Sequence, residues 1–437
     1  MGKKSIRQKE ENSFFLFSIF YFLKTKYCSW FIFAVCGFSF FSLSGCATYQ
    51  SKIGESRNLL RNGMFSEALE KLKILAESPG NDQLVYLLDY GTALQMNGQF
   101  SESNQILLKA DKLVDINDYH SVSNIVSATL GSEDQIQYKG ESYEKFLINT
   151  MLAVNYLMLG QQDEAIVEAR RINEKILKMK LDGRAPYELS PFANYLSAML
   201  WEADQKWDDA YIDYEQAYKL DPGNPFIEKD LIRSARKAKR QEVYEKWKKE
   251  FSSVSEDPKW YDRNSGELVV IAQQGWGPEK RTRPETHRFP MLRPQFSRTQ
   301  SGKVFINDEE KAQTSLVYNV ESMAMRTLEA DYGALVARRI GGVVAKAVAA
   351  DQIRQKNQLL GELAWIAMNI ADRADLRQWS TLPQTFQLSR TLLPAGTYRL
   401  RIQGIDSYGT PTADILSEQT IKISAGKKTF VNWRSVR

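Results

Sequence analysis

Residues 87–110 read Leu-Leu-Asp-Tyr-Gly-Thr-Ala-Leu-Gln-Met-Asn-Gly-Gln-Phe-Ser-Glu-Ser-Asn-Gln-Ile-Leu-Leu-Lys-Ala. Leu87, Gly91 and Leu94 recur at helical spacing before Gly98, and Ser103, Leu107 and Ala110 do so after Phe100. Two helices joined by a turn at Gly98 are therefore expected. Helices cross closely only where small side chains meet, and Gly91 and Ser103 supply one from each side. The aromatic residue after the turn fills the gap to whatever packs next.

Outward from this stretch the same residue classes return at the same offsets. Gly63-Met64-Phe65 leads to Ala68, Leu72 and Leu75. Gly160-Gln161-Gln162 leads to Ala165, Ala169 and Ile172, with Leu152-Ala153 and Tyr156 in the helix before it. Lys206-Trp207 leads to Ala210, Tyr214 and Ala217, and Asp221-Pro222-Gly223-Asn224-Pro225 then ends that helix, since proline has no amide donor. These copies resemble the tetratricopeptide repeat (TPR). They depart from it where Gln162 replaces the aromatic, where Gln205 replaces the turn glycine, and between the second and third copies, whose spacing is far from the usual length of about 34 residues. Residues 115–145 fill that gap as an extra helix or a long loop. The resemblance implies a concave surface that binds proteins or peptides; the alternatives are a rigid spacer, or an array that docks its own C-terminal domain.

Residues 229–250 carry nine cations, eight of them from Arg233 to Lys249, with Val243 and Trp247 on the inner side, and are expected to form one long closing helix with a solvated charged face. A basic strip for anions is the alternative. From Trp260 the texture changes. Glu267-Leu268-Val269-Val270-Ile271 predicts a buried strand. A turn-rich loop, residues 273–280, precedes a basic stretch interrupted by Pro284, Pro290 and Pro294, which argues for an extended edge or loop. Arg281, Arg283 and Arg288, near Trp276, Phe289 and Phe296, are candidate contacts for an anionic polymer or headgroup; a stiff loop covering the sheet is the plainer reading. Two or three amphipathic helices then follow, on stripes through Val320–Leu328, Val336–Ala347 and Leu359–Ile370, expected to cover the sheet. The remainder reads as strands, with Tyr398, Leu400 and Ile402 alternating against Arg399, Arg401 and Gln403. The expected fold class is α+β multidomain: a TPR-like all-α hairpin solenoid over 53–255, then a mixed domain over 260–437 with an antiparallel sheet or sandwich and helices inserted at about 319–373.

The N-terminus has a different character. A basic stretch over residues 1–12 precedes apolar runs at Phe14–Leu23 and Cys28–Leu43, ending in Leu43-Ser44-Gly45-Cys46. Basic segment, apolar core and small-residue site make a secretory signal. The terminal tetrapeptide resembles the lipobox of bacterial lipoproteins, in which the cysteine receives diacylglycerol and becomes the new N-terminus. Residues 1–45 are thus expected as a signal peptide and 46–52 as a lipidated linker. An uncleaved anchor helix is the alternative, although the second run, about 16 residues, is short of the roughly 20 that span a bilayer. The double apolar run would also fit translation starting near Leu23. Ala47 after the cysteine resembles the default outer-membrane route. Cys28 and Cys36 leave with the signal, so no thiol remains for disulfides or metal. Six cations against two carboxylates leave as well, so the formal +5 falls to about +1, which removes the basis for a nucleic-acid reading.

One further block, Ala371-Asp372-Arg373-Ala374-Asp375-Leu376-Arg377-Gln378-Trp379-Ser380-Thr381-Leu382-Pro383, lies between the helices and the last strands. With Glu-Leu-Val-Val-Ile upstream and Leu-Pro-Ala-Gly-Thr-Tyr downstream, it resembles a family of uncharacterised bacterial outer-membrane lipoproteins with TPR-like N-terminal halves, associated with the envelope and peptidoglycan synthesis. Asp375, Arg377 and Trp379 are candidate ligand or partner contacts; a helix-to-strand corner is the plainer reading. No phosphate loop, dinucleotide turn or metal-ligand spacing is present, and the two histidines, His120 and His287, lie in different halves. The sequence therefore points to a non-enzymatic, cofactor-free, membrane-anchored scaffold that binds an envelope protein through its repeats, facing the periplasm from the outer membrane. The alternative is a C-terminal domain that binds peptidoglycan or another anionic envelope polymer.

Overall fold

The structure is a computed structural model that describes residues 49–119, 137–181, 190–370 and 373–437. Leu43, Ser44, Gly45, Cys46, His120, Ala371 and Asp372 lie outside the described residues, as does most of the segment expected as an extra helix or loop. The chain divides into two units, Met1–Lys52 and Ile53–Arg437. The described helices and strands belong to the second, save that the first helix begins at Tyr49.

Among the described residues ten helices form five hairpins: α1 (Tyr49–Arg61) with α2 (Phe65–Glu77), α3 (Gln83–Met96) with α4 (Phe100–Tyr119), α5 (Ser142–Met158) with α6 (Gln162–Leu181), α7 (Pro191–Ala203) with α8 (Trp207–Leu220), and α9 (Ile227–Lys237) with α10 (Gln241–Glu250). One turn serves all five. Gly63, Gly98, Gly160, Gln205 and Lys239 have φ between 59° and 76°. The next amide donates to the carbonyl five residues back, in Met64–Leu59, Gln99–Leu94, Gln161–Tyr156, Lys206–Trp201 and Arg240–Ala235. This is the helix-terminating motif in which a left-handed residue lets the chain return its amide to the last turn. At the α3/α4 crossing a Cβ on Gly91 would stand 2.7 Å from Leu107, and the Ser103 hydroxyl donates to the Gly91 carbonyl at 2.7 Å.

The fifth hairpin corrects the expectation of one closing helix over 229–250. Lys239 adopts the left-handed turn that glycine occupies in the first three hairpins, and the chain reverses there. Arg233, read as part of a solvated face, is buried.

Ten strands follow. β10 (Lys428–Arg434), β1 (Ser265–Gln274), β7 (Thr385–Pro394) and β6 (Ser315–Asn319) lie side by side in that order. In this sheet β1 pairs parallel with β10 and antiparallel with β7. β5 (Glu309–Gln313), β4 (Ser301–Ile306), β8 (Gly396–Ile405) and β9 (Pro411–Ile423) make an antiparallel sheet, and β2 (Glu279–Arg283) with β3 (Thr286–Arg293) a separate hairpin. The chain is thus α+β, a TPR-like array followed by a domain of one mixed and one antiparallel sheet. Between the two four-stranded sheets lies a core of Leu268, Val270, Ala272, Val304, Ile306, Leu400, Ile402, Ile423 and Trp433.

All ten residues of β1 are buried. Side chains alternate across a strand, so residues 268, 270 and 272 enter that core while 267, 269, 271 and 273 point the other way. On that second face they meet the array: Phe386 of β7, opposite Gln273, stacks on Phe192 of α7 at 4.7 Å.

The inserted helices are two, α11 (Val320–Lys356) and α12 (Gln358–Ile370), since the first two expected stripes belong to one 37-residue helix. They do not cover the sheet. At 1.5 Å per residue α11 runs about 55 Å, longer than any sheet strand here. Val320, Met323, Ala324 and Thr327 near its start are buried, and Ile340, Val344 and Val348 further on are exposed.

A Cβ at Gly266, in the doubly covered β1, would stand 2.3 Å from the Ser424 carbonyl oxygen. Gly266→Ala should therefore cost about 2–3 kcal/mol through backbone displacement. Urea denaturation measures this, and an unchanged midpoint would show that the strand yields.

Candidate functional site

The inner helices of the array, α3, α5 and α7, are buried almost all round, yet each carries polar side chains: Asp89, Thr92 and Gln95; Glu144, Asn149 and Asn155; Asn194, Ser197 and Glu202. A buried polar group costs free energy unless hydrogen-bonded, so their partners say what this surface holds.

Several hold the segment between α12 and β7. The Trp379 indole N–H donates to the Thr92 hydroxyl at 2.8 Å, and its backbone amide donates to the Glu144 carboxylate at 2.7 Å. One oxygen of Asp89 accepts from the Ser380 hydroxyl at 3.0 Å, the Thr381 amide at 2.9 Å and the Thr381 hydroxyl at 3.0 Å. Arg377 grips Asp375 through two nitrogens at 2.9 and 2.7 Å and reaches Asp82 at 3.1 Å. Burial would raise the Asp375 carboxyl, but the hydrogen bonds and charge of Arg377 hold it below the usual range. Gln378 accepts from the Lys280 amide and donates to the Pro278 carbonyl, each at 2.6 Å, and the Lys280 ammonium pairs with Glu141.

A polar relay continues from this corner into the array. Arg434 of β10 donates to the carbonyls of Thr381 and Gln273, at 3.1 and 3.3 Å. The Gln273 side chain donates to Gln95 at 2.8 Å, Gln95 to Asn155 at 2.7 Å, and Asn155 to Ser103 at 2.8 Å. The hydroxyl at the α3/α4 crossing is thus coupled to the sheet.

Further along the groove six buried charges balance. Arg390 of β7 forks onto Glu267 at 2.7 and 3.0 Å and reaches Asp230 at 2.6 Å. Arg233 pairs with Asp230 at 2.7 Å and Glu202 at 2.8 Å, and Lys428 pairs with Glu202 at 3.1 Å and with Glu267. Burial alone would raise the Glu267 carboxyl, but Arg390 and Lys428 hold it well below the ordinary range. Asp230 and Glu202 belong to the array, and Glu267, Arg390 and Lys428 to the sheet.

The basic candidates lie elsewhere. Arg281 on β2 is exposed and pairs with Glu279 of its own strand at 2.8 Å. Arg283 lies 4.3 Å over the ring of Tyr332 on α11, and Arg288 is half-buried on β3. Asp375, Arg377 and Trp379 therefore stand together in the groove, whereas Arg281 and Arg283 serve the edge hairpin and the base of α11. The Trp276 indole N–H donates to the Val436 carbonyl at 2.8 Å, with Arg61 and Arg434 over the ring at 5.2 and 5.4 Å. Among the described residues, no three His, Cys, Asp or Glu side chains cluster as metal ligands would.

No family model matches the chain, and no curated protein matches it. Among solved structures the helical half is similar to repeat proteins. MamA from residue 41 onward, from Desulfovibrio magneticus RS-1, is 18% identical over 46% of this chain and 89% of its own, with a TM-score of 0.31. A Podosopora anserina protein of nearly identical kinesin-light-chain TPR-like repeats is 18% identical over 47% of this chain and 93% of its own, with a TM-score of 0.32. MamA of AMB-1 is 13% identical over 46% and 91%, with a TM-score of 0.30. At such scores no partner or activity is taken from them.

The residues that sequence reading missed are the polar ones on the inner helices. The available signal was a polar residue every third or fourth position inside an otherwise apolar helix, as in Asp89, Thr92 and Gln95.

Asp89→Ala would strip three donors of a buried acceptor. It should cost roughly 3–5 kcal/mol in chemical denaturation, as expected for opening a buried charged cluster. Burial, with Glu141 nearby, pushes the Glu144 carboxyl up to about 7 from 4.5 despite its donors. The folded chain then holds this proton more tightly than the unfolded chain. Stability from this group is complete below pH 4.5 and declines by up to about 3 kcal/mol as pH rises through 7. Glu144→Gln cannot titrate, so its deficit against the parent should be larger at pH 5 than at pH 8. A deficit independent of pH would contradict the shift.

Proposed function

We propose that the chain is a non-enzymatic scaffold of the bacterial envelope, lipid-anchored at Cys46, whose repeat array clamps its own C-terminal domain and meets protein partners on the surfaces left open. What supports the clamp is the set of contacts that Asp89, Thr92, Glu144, Glu202 and Asp230 make with residues 267–428. These contacts favour the alternative of an array that docks its own C-terminal domain over a groove open to a partner, since the chain's own corner and sheet lie against the inner helices. On this reading Asp375, Arg377 and Trp379 serve an internal role, holding the corner against the array.

Outer helices of the array keep large aliphatic side chains in solvent, among them Ile74, Leu177 and Ile212. Partner contact belongs there or on the projecting helices. The lipid anchor rests on the Leu43–Cys46 motif, and the outer-membrane route on Ala47. Peptidoglycan or another anionic polymer is the less supported ligand: Arg281 is paired within its strand and Arg283 lies against Tyr332.

Cys46→Ser should leave the protein soluble or unprocessed in cell fractionation; a fully processed membrane form would overturn the anchor. Photo-crosslinkers at Ile74, Leu177 and Ile212 should yield adducts with a second envelope protein. No adduct from any of them in intact envelopes would remove the outer-face reading.

A further inference from the structure

The end of α1 gathers more positive charge than the chain around it balances. Arg57 and Arg61 lie one turn apart on one face of that helix, with Cβ atoms about 6 Å apart. Arg57 is 5% exposed, and the carboxylate beside it is Glu279, whose Oε1 lies 3.8 Å from its Nη1, beyond hydrogen-bond reach. The other oxygen of Glu279 accepts from Nε and Nη2 of Arg281, at 2.9 and 2.8 Å. Arg61 donates to the Gln295 side chain and lies 5.2 Å from the centre of the Trp276 ring. The Nε of Arg57 and that of Arg61 are both buried and meet no acceptor. The guanidinium of Arg437 lies against the α1/α2 turn, 3.7 Å from where a Cβ on Gly63 would stand.

A buried guanidinium without a partner is costly, because desolvation removes its water and nothing replaces it. Two of them four residues apart on a helix also repel each other. Burial and the charge of Arg57 accordingly push the Arg61 guanidinium below its ordinary range, with Glu279 opposing. Among the described residues no other carboxylate pairs with Arg57 or Arg61. Four cations, Arg57, Arg61, Arg281 and Arg437, thus stand against Glu279 and the C-terminal end of α1. A helix end of that kind carries about half a negative charge, which leaves an excess of about two and a half positive charges.

We propose that Arg57, Arg61 and Arg437 hold a phosphate-class oxyanion at the end of α1. Phosphate or a phosphate monoester carries about −1.5 to −2 at neutral pH, close to the missing charge. Guanidinium groups present their N–H donors in forks that match the oxygens of such an anion. A carboxylate brings a single charge and leaves more of the excess in place. Arg437 is exposed and Arg61 half-buried, so the site opens to solvent on that side, with Arg57 beneath. The same chemistry reaches it from two sources, the free ion or the monoester headgroup of a lipid. The site is separate from the corner held by Asp89 and Glu144, and it rests neither on the clamp nor on lipid at Cys46.

The test is calorimetric titration of inorganic phosphate into the purified full chain, in a chloride buffer of fixed ionic strength at neutral pH. The parent should bind at one site, and at a hundredfold excess over Kd its melting temperature should rise by about 3–5 °C. Arg57→Met and Arg61→Met should each weaken binding at least about tenfold, the loss of one charge-assisted contact, and lose the rise. Arg399→Gln, the same loss of charge on the exposed face of β8, should keep both. Arg61 is half-buried only, so its variant carries the test if Arg57→Met does not fold. A second arm uses the full chain with Cys46→Ser and phosphatidylcholine vesicles containing phosphatidic acid. Flotation with these vesicles that Arg61→Met abolishes would assign the lipid headgroup as the source, and uptake of free phosphate without flotation would assign the free ion. A parent that takes up neither, binding that survives Arg61→Met, or binding lost equally in Arg399→Gln would overturn the proposal.

Discussion

Strand β1 is covered by the second sheet on its Leu268, Val270 and Ala272 side, and by the helical array on its Glu267, Val269, Ile271 and Gln273 side. Neither covering element can be withdrawn without exposing one face of the strand. Apolar pressure alone would leave the array free to slide along the sheet, because Val269 and Ile271 present little that distinguishes one register from the next. The polar contacts remove that freedom. Asp89 fits only where the Ser380 hydroxyl and the Thr381 amide and hydroxyl converge, and Asp230 only where Arg390 comes forward.

Buried ion pairs of this kind add little net stability over well-packed apolar side chains, because desolvation offsets their attraction. Their asymmetry matters more. With all six charges present the cluster of Arg233, Arg390, Lys428, Glu202, Asp230 and Glu267 is neutral, and removing any one strands an opposite charge in a buried site. The array and the sheet are thereby locked in one docking arrangement, and a shifted one is penalised severely. The corner at Trp379 has the same character. Its indole, amide and neighbouring hydroxyl groups are satisfied only by Thr92, Glu144 and Asp89 together.

Local features of this architecture were legible in the sequence because their causes are local. Gly63, Gly98 and Gly160 announce their turns, since glycine reaches a left-handed conformation without a Cβ clash. Gln205 and Lys239 hold the same conformation without that signature, which is why the last hairpin read as a single helix. Only the echo of Trp201 and Lys206 in Ala235 and Arg240, five residues apart around the turn, could have exposed it. The gap between the stripes at Val320–Leu328 and Val336–Ala347 misled in the opposite direction, since α11 runs through it unbroken. The groove's contents were illegible for another reason: Asp89 and Thr381 are 292 positions apart and Asp230 and Arg390 are 160 apart, and no local pattern links them. Arg377 and Asp375 were singled out because they are neighbours, although Asp82, Glu144 and Asp89 complete the same corner.

A repeat array stabilised only by neighbour-to-neighbour contacts can open from either end. Here α3, α5, α7 and α9 are each tied to the same domain, through Asp89, Glu144, Glu202 and Asp230 respectively. Opening one hairpin therefore breaks contacts to that domain that the others share, and the array behaves as one cooperative body with it. That rigidity has a geometric consequence. The base of α11 is fixed by β3 through Phe289 and Tyr332, and α11 follows directly on β6, which pairs with β7, the strand carrying Arg390 and Phe386 into the groove. A continuous line of packed elements thus runs from the inner helices of the array to the root of the α11/α12 hairpin, so its exposed aliphatic side chains are held at a set direction from the body. A flexible arm would have to surrender conformational entropy at every contact it made; an arm rooted in this way has surrendered most of it during folding.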